Sequence, residues 1–318
     1  MTTGGEQISA RVAEIRTEAT DIRSYQLVGA NGERLPAFTA GAHIDVFLKS
    51  GLVRQYSLVN DPDGDGDYLI AVKRDATGRG GSRELHDTVR RDDVLMISAP
   101  RNTFEIADHA PAHIFIAGGI GITPVLSMIR TLARRGATWR LHYCVHDEVG
   151  AAFLPMLRQD KYARHSTIHV SGGDPARRLD VEGLTTRAEA SGAHLYFCGP
   201  PGLMARVNEA CADWPAGRLH TESFGAGQQT ENQPFDIEIA DTGQLIAVSP
   251  QDTILDAMRR AGLEVPFLCR QGVCGTCIVD VVDGVPLHRD TVLFDHERTT
   301  KIVTCCSWSA GGRLKLAL

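Results

Sequence analysis

Five of the eight cysteines fall within the last 50 of the 318 residues. Cys269-Arg-Gln-Gly-Val-Cys274-Gly-Thr-Cys277 spaces three of them as C-x4-C-x2-C, and Cys305 and Cys306 follow at a distance. Three thiolates on one loop and a fourth from a distant segment form the plant-type [2Fe–2S] pattern. Two sulfide-bridged irons need four outer thiolates, and the wrapping loop aims backbone N–H groups at the sulfurs. Gly272 and Gly275 suit a chain that curls closely around an inorganic core. A thioredoxin-type reading of Cys274 and Cys277 requires a following helix, whereas Ile278 to Val282 reads as a strand. Structural zinc prefers two separated pairs. Cys305 and Cys306 are adjacent and would point opposite ways in an extended strand, so spacing alone does not choose between them. Cys144, Cys198 and Cys211 have no ligand spacing, and Cys144 and Cys211 read as ordinary buried thiols.

A second group of residues suits a nucleotide. Gly118-Gly-Ile-Gly-Ile-Thr-Pro124 follows an apolar strand and opens a helical pattern, where glycines let a pyrophosphate approach backbone N–H groups. Gly119 and Gly121 supply the first two glycines of G-x-G-x-x-G, and the third position falls on Pro124, which suits a first helical turn. Tyr196-Phe-Cys-Gly-Pro-Pro201 is another strand-to-helix turn, on the same edge of a parallel sheet. His146-Asp147-Glu148 could accept from ribose hydroxyls and would repel a 2′-phosphate, which favours NADH over NADPH. Arg54-Gln-Tyr-Ser57 places a cation, an aromatic ring and a hydroxyl on one strand, as a phosphorylated ring system requires. Gly80-Gly-Ser82 offers N–H groups and a hydroxyl to a phosphate. Taken singly, the turns also fit ordinary βα connections, and Arg54–Ser57 also fits an ordinary barrel strand.

The elements that would position these groups follow from periodicity. Residues 1–107 carry short alternating runs (Asp21–Leu27, His43–Lys49, Gln55–Val59, Tyr68–Lys73, Asp93–Ser98) punctuated by Gly, Pro and Asp, which predicts an antiparallel β-barrel. Over 108–224 strands at His113–Ala117, Trp139–Val145, Ser166–Val170 and His194–Cys198 alternate with helical patterns at Val125–Arg134, Gly150–Gln159 and Gly202–Ala212. That alternation predicts a parallel α/β domain. Residues 225–233 are small and polar, as a linker would be. From 234 to 318, strands at Phe235–Ala240 and Gln244–Val248 precede a helix at Thr253–Ala261, which Gly262 would stop.

Composition narrows the classes. A 43% apolar content supports several cores, and a net charge of −6 argues against a general nucleic-acid binder. No apolar run approaches the ~20 residues of a membrane span. Met1–Arg11 lacks the apolar core of a signal peptide, so a cytoplasmic location is expected.

The order of these motifs, continued by His220-Thr-Glu-Ser-Phe224, resembles the phthalate dioxygenase reductase family over essentially the whole chain. That family includes the reductase subunits of vanillate O-demethylase systems and serves class IA Rieske oxygenases. The resemblance implies an FMN-binding barrel, a NAD-binding α/β domain and a C-terminal β-grasp ferredoxin domain, in that order. It implies that Arg54 faces the FMN phosphate, that Tyr56 packs on the flavin, and that Ser57 bonds near its N5 edge. Lys73 and Arg74 would lie near the flavin chain, with Gly80, Gly81 and Ser82 in its phosphate loop. Thr123, and Cys198 with Gly199 and Pro200, would lie beside the nicotinamide, and Glu222 and Phe224 would close over the flavin. Ser57, Thr123, Cys198 and Glu222 are then the residues expected at the hydride-transfer centre. The family pattern puts the fourth ligand at Cys305, beside Cys269, Cys274 and Cys277. The implied activity is electron transfer from NADH through FMN and a [2Fe–2S] cluster to a Rieske-type oxygenase, with a haem monooxygenase as the alternative acceptor. The expected state is a monomer. Residues 234–318 carry a net charge of −3, which suits a basic patch on the partner.

Overall fold

The computed structural model describes residues 7–318 apart from Thr77, Arg79, Ala216, 225–231, Gln251, 268–271, Val273, Cys274, Thr291 and Asp295. Cys269, Cys274 and most of the expected linker therefore lie outside the described residues. The described chain forms two compact units, one ending at Glu222 and one beginning at Ser223.

The first unit opens with β1 (Gln7–Ala19), β2 (Ile22–Gly29), β3 (His43–Phe47), β4 (Val53–Ser57), β5 (Tyr68–Lys73), α1 (Gly81–Thr88) and β6 (Val94–Ser98). The strands form an antiparallel sheet in the order β4-β3-β6-β1-β2-β5. A bridge between Leu58 and Ile70 joins its two ends, and Val59 N–H donates to the Leu69 carbonyl at 2.8 Å. The sheet thus closes into the expected barrel through this short contact between its edge strands. Leu27, Ile44, Val46, Ile70 and Ile97 fill its interior, and Leu85 of α1 is buried among them.

Next come β7 (His113–Gly118), α2 (Ile122–Arg135), β8 (Trp139–Val145), α3 (Leu154–Leu157), α4 (Asp160–Ala163), β9 (Ser166–Val170), α5 (Val181–Ala190), β10 (His194–Cys198), α6 (Pro201–Ala210) and β11 (Leu219–Glu222). The strands are parallel in the order β11-β10-β7-β8-β9. Ten of the 14 residues of α2 are buried, more than one sheet face requires. The helix packs in a shared core of Phe115, Leu141 and Tyr143 from the sheet and Ile22, Val59 and Phe104 from the barrel segment. Burying each such side chain stabilises by about 1.5–3 kcal/mol. Two hydrogen bonds cross the same seam, from Gly41 N–H to Ser127 Oγ at 3.0 Å and from Ala107 N–H to Tyr196 Oη at 2.9 Å. Barrel and parallel sheet are therefore one body.

The second unit contains β12 (Phe235–Ile239), β13 (Leu245–Val248), α7 (Ile254–Arg260), β14 (Ile278–Leu287), β15 (Lys301–Val303) and β16 (Trp308–Ala317). Its mixed sheet runs β13-β12-β16-β14-β15, with β12 and β16 parallel. Thr253 caps α7 by accepting from Asp256 N–H at 3.0 Å, and Ile254, Leu255 and Met258 bury the helix against the sheet. This is the expected β-grasp arrangement.

Several elements depart from expectation. The 13-residue β1 was not anticipated, because register shifts between Val12 and Glu14 and between Thr17 and Ala19 break its alternation. The helix expected at Gly150–Gln159 is only the four-residue α3, since Phe153 adopts a positive φ of 62° just before it. Helix α2 begins at Ile122 rather than Val125, which places Pro124 inside its first turn.

Candidate functional site

Ser57 ends β4, and its antiparallel partner across the hairpin is His43. Cys198 ends β10, and its parallel partner is Glu222, the last residue of β11. The barrel and the sheet bring these four side chains together. Ser57 Oγ lies 3.5 Å from Glu222 Oε2, and His43 Nδ1 lies 4.0 Å from Glu222 Oε1. Burial pushes the Glu222 carboxyl up to about 8, partly opposed by the Ser57 hydroxyl. Burial, with help from the Arg101 charge, pushes His43 down to about 4. Both groups are therefore neutral at pH 7, and their contact is not an ion pair. The Cys198 thiol is held well above its usual range by burial and by Glu222.

His43 was missed from the sequence. The signal available was its position opposite Ser57 across a two-strand hairpin. Behind it, the wholly buried Asp45 side chain pairs with Arg101 Nη2 at 2.8 Å.

The two glycine turns interlock beside this cluster. A Cβ on Gly121 would lie 2.3 Å from the Cys198 carbonyl oxygen, and one on Gly118 would lie 2.5 Å from Pro200 Cδ. The φ of Gly121 is an ordinary −62°, so only the close approach demands glycine there. Gly121→Ala is expected to cost at least about 1–3 kcal/mol of stability through overpacking against fixed backbone. It should also raise the KM for NADH, as urea unfolding and steady-state kinetics would show. No side chain caps the N-terminus of α2, and the Ile122 N–H turns back to the Gly119 and Ile120 carbonyls in a tight turn of residues 119–121. Thr123 is buried and donates its hydroxyl to the Ile120 carbonyl at 3.0 Å, which braces this turn. Gly199 lies against Gly118, while Pro200 is exposed at the start of α6.

A phosphate cradle forms on the barrel. Gly80 adopts a left-handed φ of 89° ahead of α1, again with no side-chain cap. A Cβ on Gly81 would lie 2.6 Å from Arg54 Cγ and 2.7 Å from its Nε, so the guanidinium arm lies directly on the helix start. Ser82 Oγ accepts from Asp75 N–H at 3.1 Å and closes the loop. Helix N–H groups, a buried arginine and a hydroxyl in one place fit the phosphate of a flavin mononucleotide. Tyr56 is half-buried on the same strand. Lys73 is exposed at the end of β5, and Arg74 is paired with Asp87 at 3.2 Å. Phe224 is 40% exposed and belongs to the second unit.

The loop after β8 is more self-contained than its sequence suggested. Asp147 is bound by His146 at 2.9 Å and by Gly150 N–H at 2.7 Å, and Glu148 pairs with Arg158 at 2.7 Å. A cation thus reaches the loop from a residue that sequence distance had hidden.

In the second unit, Cys277 and Cys305 flank one end of the β14–β15 ladder. The Cys277 carbonyl accepts from Thr304 N–H at 3.2 Å and from Thr304 Oγ1 at 2.9 Å. Both thiols are buried, at 2% and 1% exposure. The Cys306 thiol instead contacts the Val303 carbonyl and Ser307 Oγ, each at 3.7 Å. Buried neighbouring thiols beside a glycine-bearing loop fit an iron–sulfur cluster.

A family described as the 2Fe-2S iron-sulfur cluster binding domain matches residues 237–309, and one described as the oxidoreductase NAD-binding domain matches residues 115–209. With the barrel site, these define an NADH-dependent flavin and iron–sulfur oxidoreductase. The vanillate O-demethylase oxidoreductase of Pseudomonas sp. is 40% identical, covering 98% of this chain and 100% of its own. The beta subunit of a heme-dependent oxidative N-demethylase from Ectopseudomonas mendocina is 38% identical, covering 98% and 99%. A solved phthalate dioxygenase reductase, described as a modular structure for electron transfer from pyridine nucleotides to [2Fe–2S], superposes with a TM-score of 0.83. It is 38% identical, and 98% of each chain is covered. The chain belongs to the phthalate dioxygenase reductase family.

Proposed function

We propose that this chain takes two electrons from NADH and delivers them singly, by way of FMN and a [2Fe–2S] cluster, to a Rieske-type oxygenase. The observation that carries this reading is the meeting of Ser57, from the barrel, with Cys198 and Glu222, from adjacent strands of the nucleotide sheet. When bound, the flavin converts a hydride into single electrons and the cluster relays them. The chain's own residues hold and shield. Arg54, Gly80, Gly81 and Ser82 bind the FMN phosphate, with Lys73 near its chain, and Tyr56 packs on the ring. Gly119, Gly121, Gly199 and Pro200 let the dinucleotide approach the backbone, and Thr123 fixes their turn. Ser57, Cys198 and Glu222 form a neutral, water-poor patch beside the reacting carbons. Neutrality there leaves the charge change of hydride transfer unopposed by a fixed anion. Cys269, Cys274, Cys277 and Cys305 ligate the cluster.

The reading divides the chain at 1–107, 108–224, 225–233 and 234–318, and treats it as a cytoplasmic monomer. Among the described residues no helix is long and apolar enough to cross a membrane. A haem acceptor is the second reading, favoured by the E. mendocina relative. Mixing NADH, this chain and each class of acceptor protein decides between them: rapid transfer to a Rieske oxygenase supports the first, and rapid transfer only to a haem protein overturns it. Arg54→Ala is expected to weaken FMN binding by about 10–100-fold, the equivalent of one or two charge-assisted hydrogen bonds, as flavin fluorescence titration would show.

A further inference from the structure

Asp290 lies in the segment between β14 and β15, and its side chain is completely buried. A buried carboxylate is costly unless it is fully hydrogen-bonded. Its Oδ2 accepts from Leu293 N–H at 3.0 Å and Val292 N–H at 3.3 Å, with Arg298 Nη2 at 3.7 Å. Its Oδ1 accepts from Ser307 Oγ at 3.3 Å and lies 3.4 Å from His288 Nδ1. The bonds to 292 and 293 close the local turn. The bond to Ser307 does something else, because Ser307 stands two residues beyond Cys305 on a different arm of the chain.

The backbone side of Asp290 faces the other arm. A Cβ on Gly272, midway between Cys269 and Cys274, would lie 3.2 Å from Asp290 Cα and 3.4 Å from its Cβ. The same point is 2.5 Å from Cys306 Sγ. Asp290 and Cys306 therefore lie directly against the backbone of Gly272, and only glycine there allows the approach.

We propose that Asp290 is a positioning residue for the cluster, tying the arm that carries Cys305, through Ser307, to the backbone at Gly272. The proposal rests on the ligand assignment above. It also has an electrostatic side: a carboxylate this close to the arm of Cys305 would disfavour an added electron on the cluster.

The test uses the full-length holoprotein. Asp290→Asn keeps the shape and removes the charge, and is expected to retain the cluster with an upward shift in its midpoint potential and altered electron paramagnetic resonance g-values. Asp290→Ala removes the bond to Ser307 and is expected to lose iron to a chelator about 10–100-fold faster, the usual effect of deleting an outer partner of a metal ligand. An alanine variant that releases iron at the wild-type rate overturns the proposal, and if that variant does not fold, an asparagine variant with the wild-type potential and g-values does so. A wild-type protein that holds no [2Fe–2S] cluster would instead overturn the ligand assignment, so the two failures are distinguishable.

Discussion

Cys305→Ala is expected to reduce electron delivery to a protein acceptor by more than about 100-fold, beyond the 10–100-fold typical of outer-shell changes at metal sites. Bleaching of the flavin by NADH should continue near the wild-type rate. The asymmetry follows from the architecture. Barrel and nucleotide sheet share one core, and the cysteine ligands belong to the other unit. Cys305 is buried next to Thr304, which bonds the Cys277 carbonyl at one end of the β14–β15 ladder, so a water replacing the thiolate would have to enter a buried site. Cys306→Ala is the matched control. Its thiol is engaged with Val303 and Ser307, so the variant should keep its cluster spectrum and most of its transfer rate. Stopped-flow absorbance at flavin and cluster wavelengths separates the two steps. Loss of the cluster in Cys306→Ala with retention in Cys305→Ala would reverse the assignment.

The second large effect concerns Glu222. Its folded pKa is raised to about 8 from an ordinary 4.5, chiefly by burial. The native state thus binds the proton more tightly than the unfolded chain. Its contribution to stability is fully present below about pH 4.5 and is lost as pH rises through about 8. The interval corresponds to on the order of 5 kcal/mol at most. Glu222→Gln keeps a neutral group of the same shape beside Ser57. In flavin-free protein the variant should therefore gain stability relative to wild type as pH rises from about 5 to 8. Chemical denaturation across that range measures this directly. A variant that loses stability with pH as steeply as wild type would show that Glu222 is already ionised in the folded state. His43 acts in the opposite sense, because its pKa falls from 6.5 to about 4 on folding and its contribution rises with pH over that window; it is common to both proteins, so the difference between variant and wild type isolates Glu222.

Much of this architecture was legible in the residues because several local signals agreed. Alternation marked β3, β4 and β5, and the glycine turns fell where parallel strands give way to helices. The cysteine spacing named the cluster before any fold was known. What was illegible depends on contacts far apart in sequence. Strand β1 is central yet irregular, so bulges hid it. Strand β16 carries Gly311 and Gly312, which look like a turn when read alone. His43 belongs to the site only because a hairpin and a parallel strand pair meet, 165 residues apart at Ser57 and Glu222. Arg158 reaches Glu148 across the short helix α3, so the electrostatics of that loop could not be read from its neighbours. Asp290 looked like any polar loop residue until Ser307 and Gly272 were found on either side of it.

The central claim is an internal path from NADH through flavin to a [2Fe–2S] cluster, and anaerobic titration of the purified holoprotein with NADH tests it most directly. Visible absorption and low-temperature electron paramagnetic resonance would be followed together. The account predicts flavin bleaching accompanied by the spectrum of a reduced [2Fe–2S] cluster. Flavin bleaching with a fully loaded cluster that stays oxidised would contradict it.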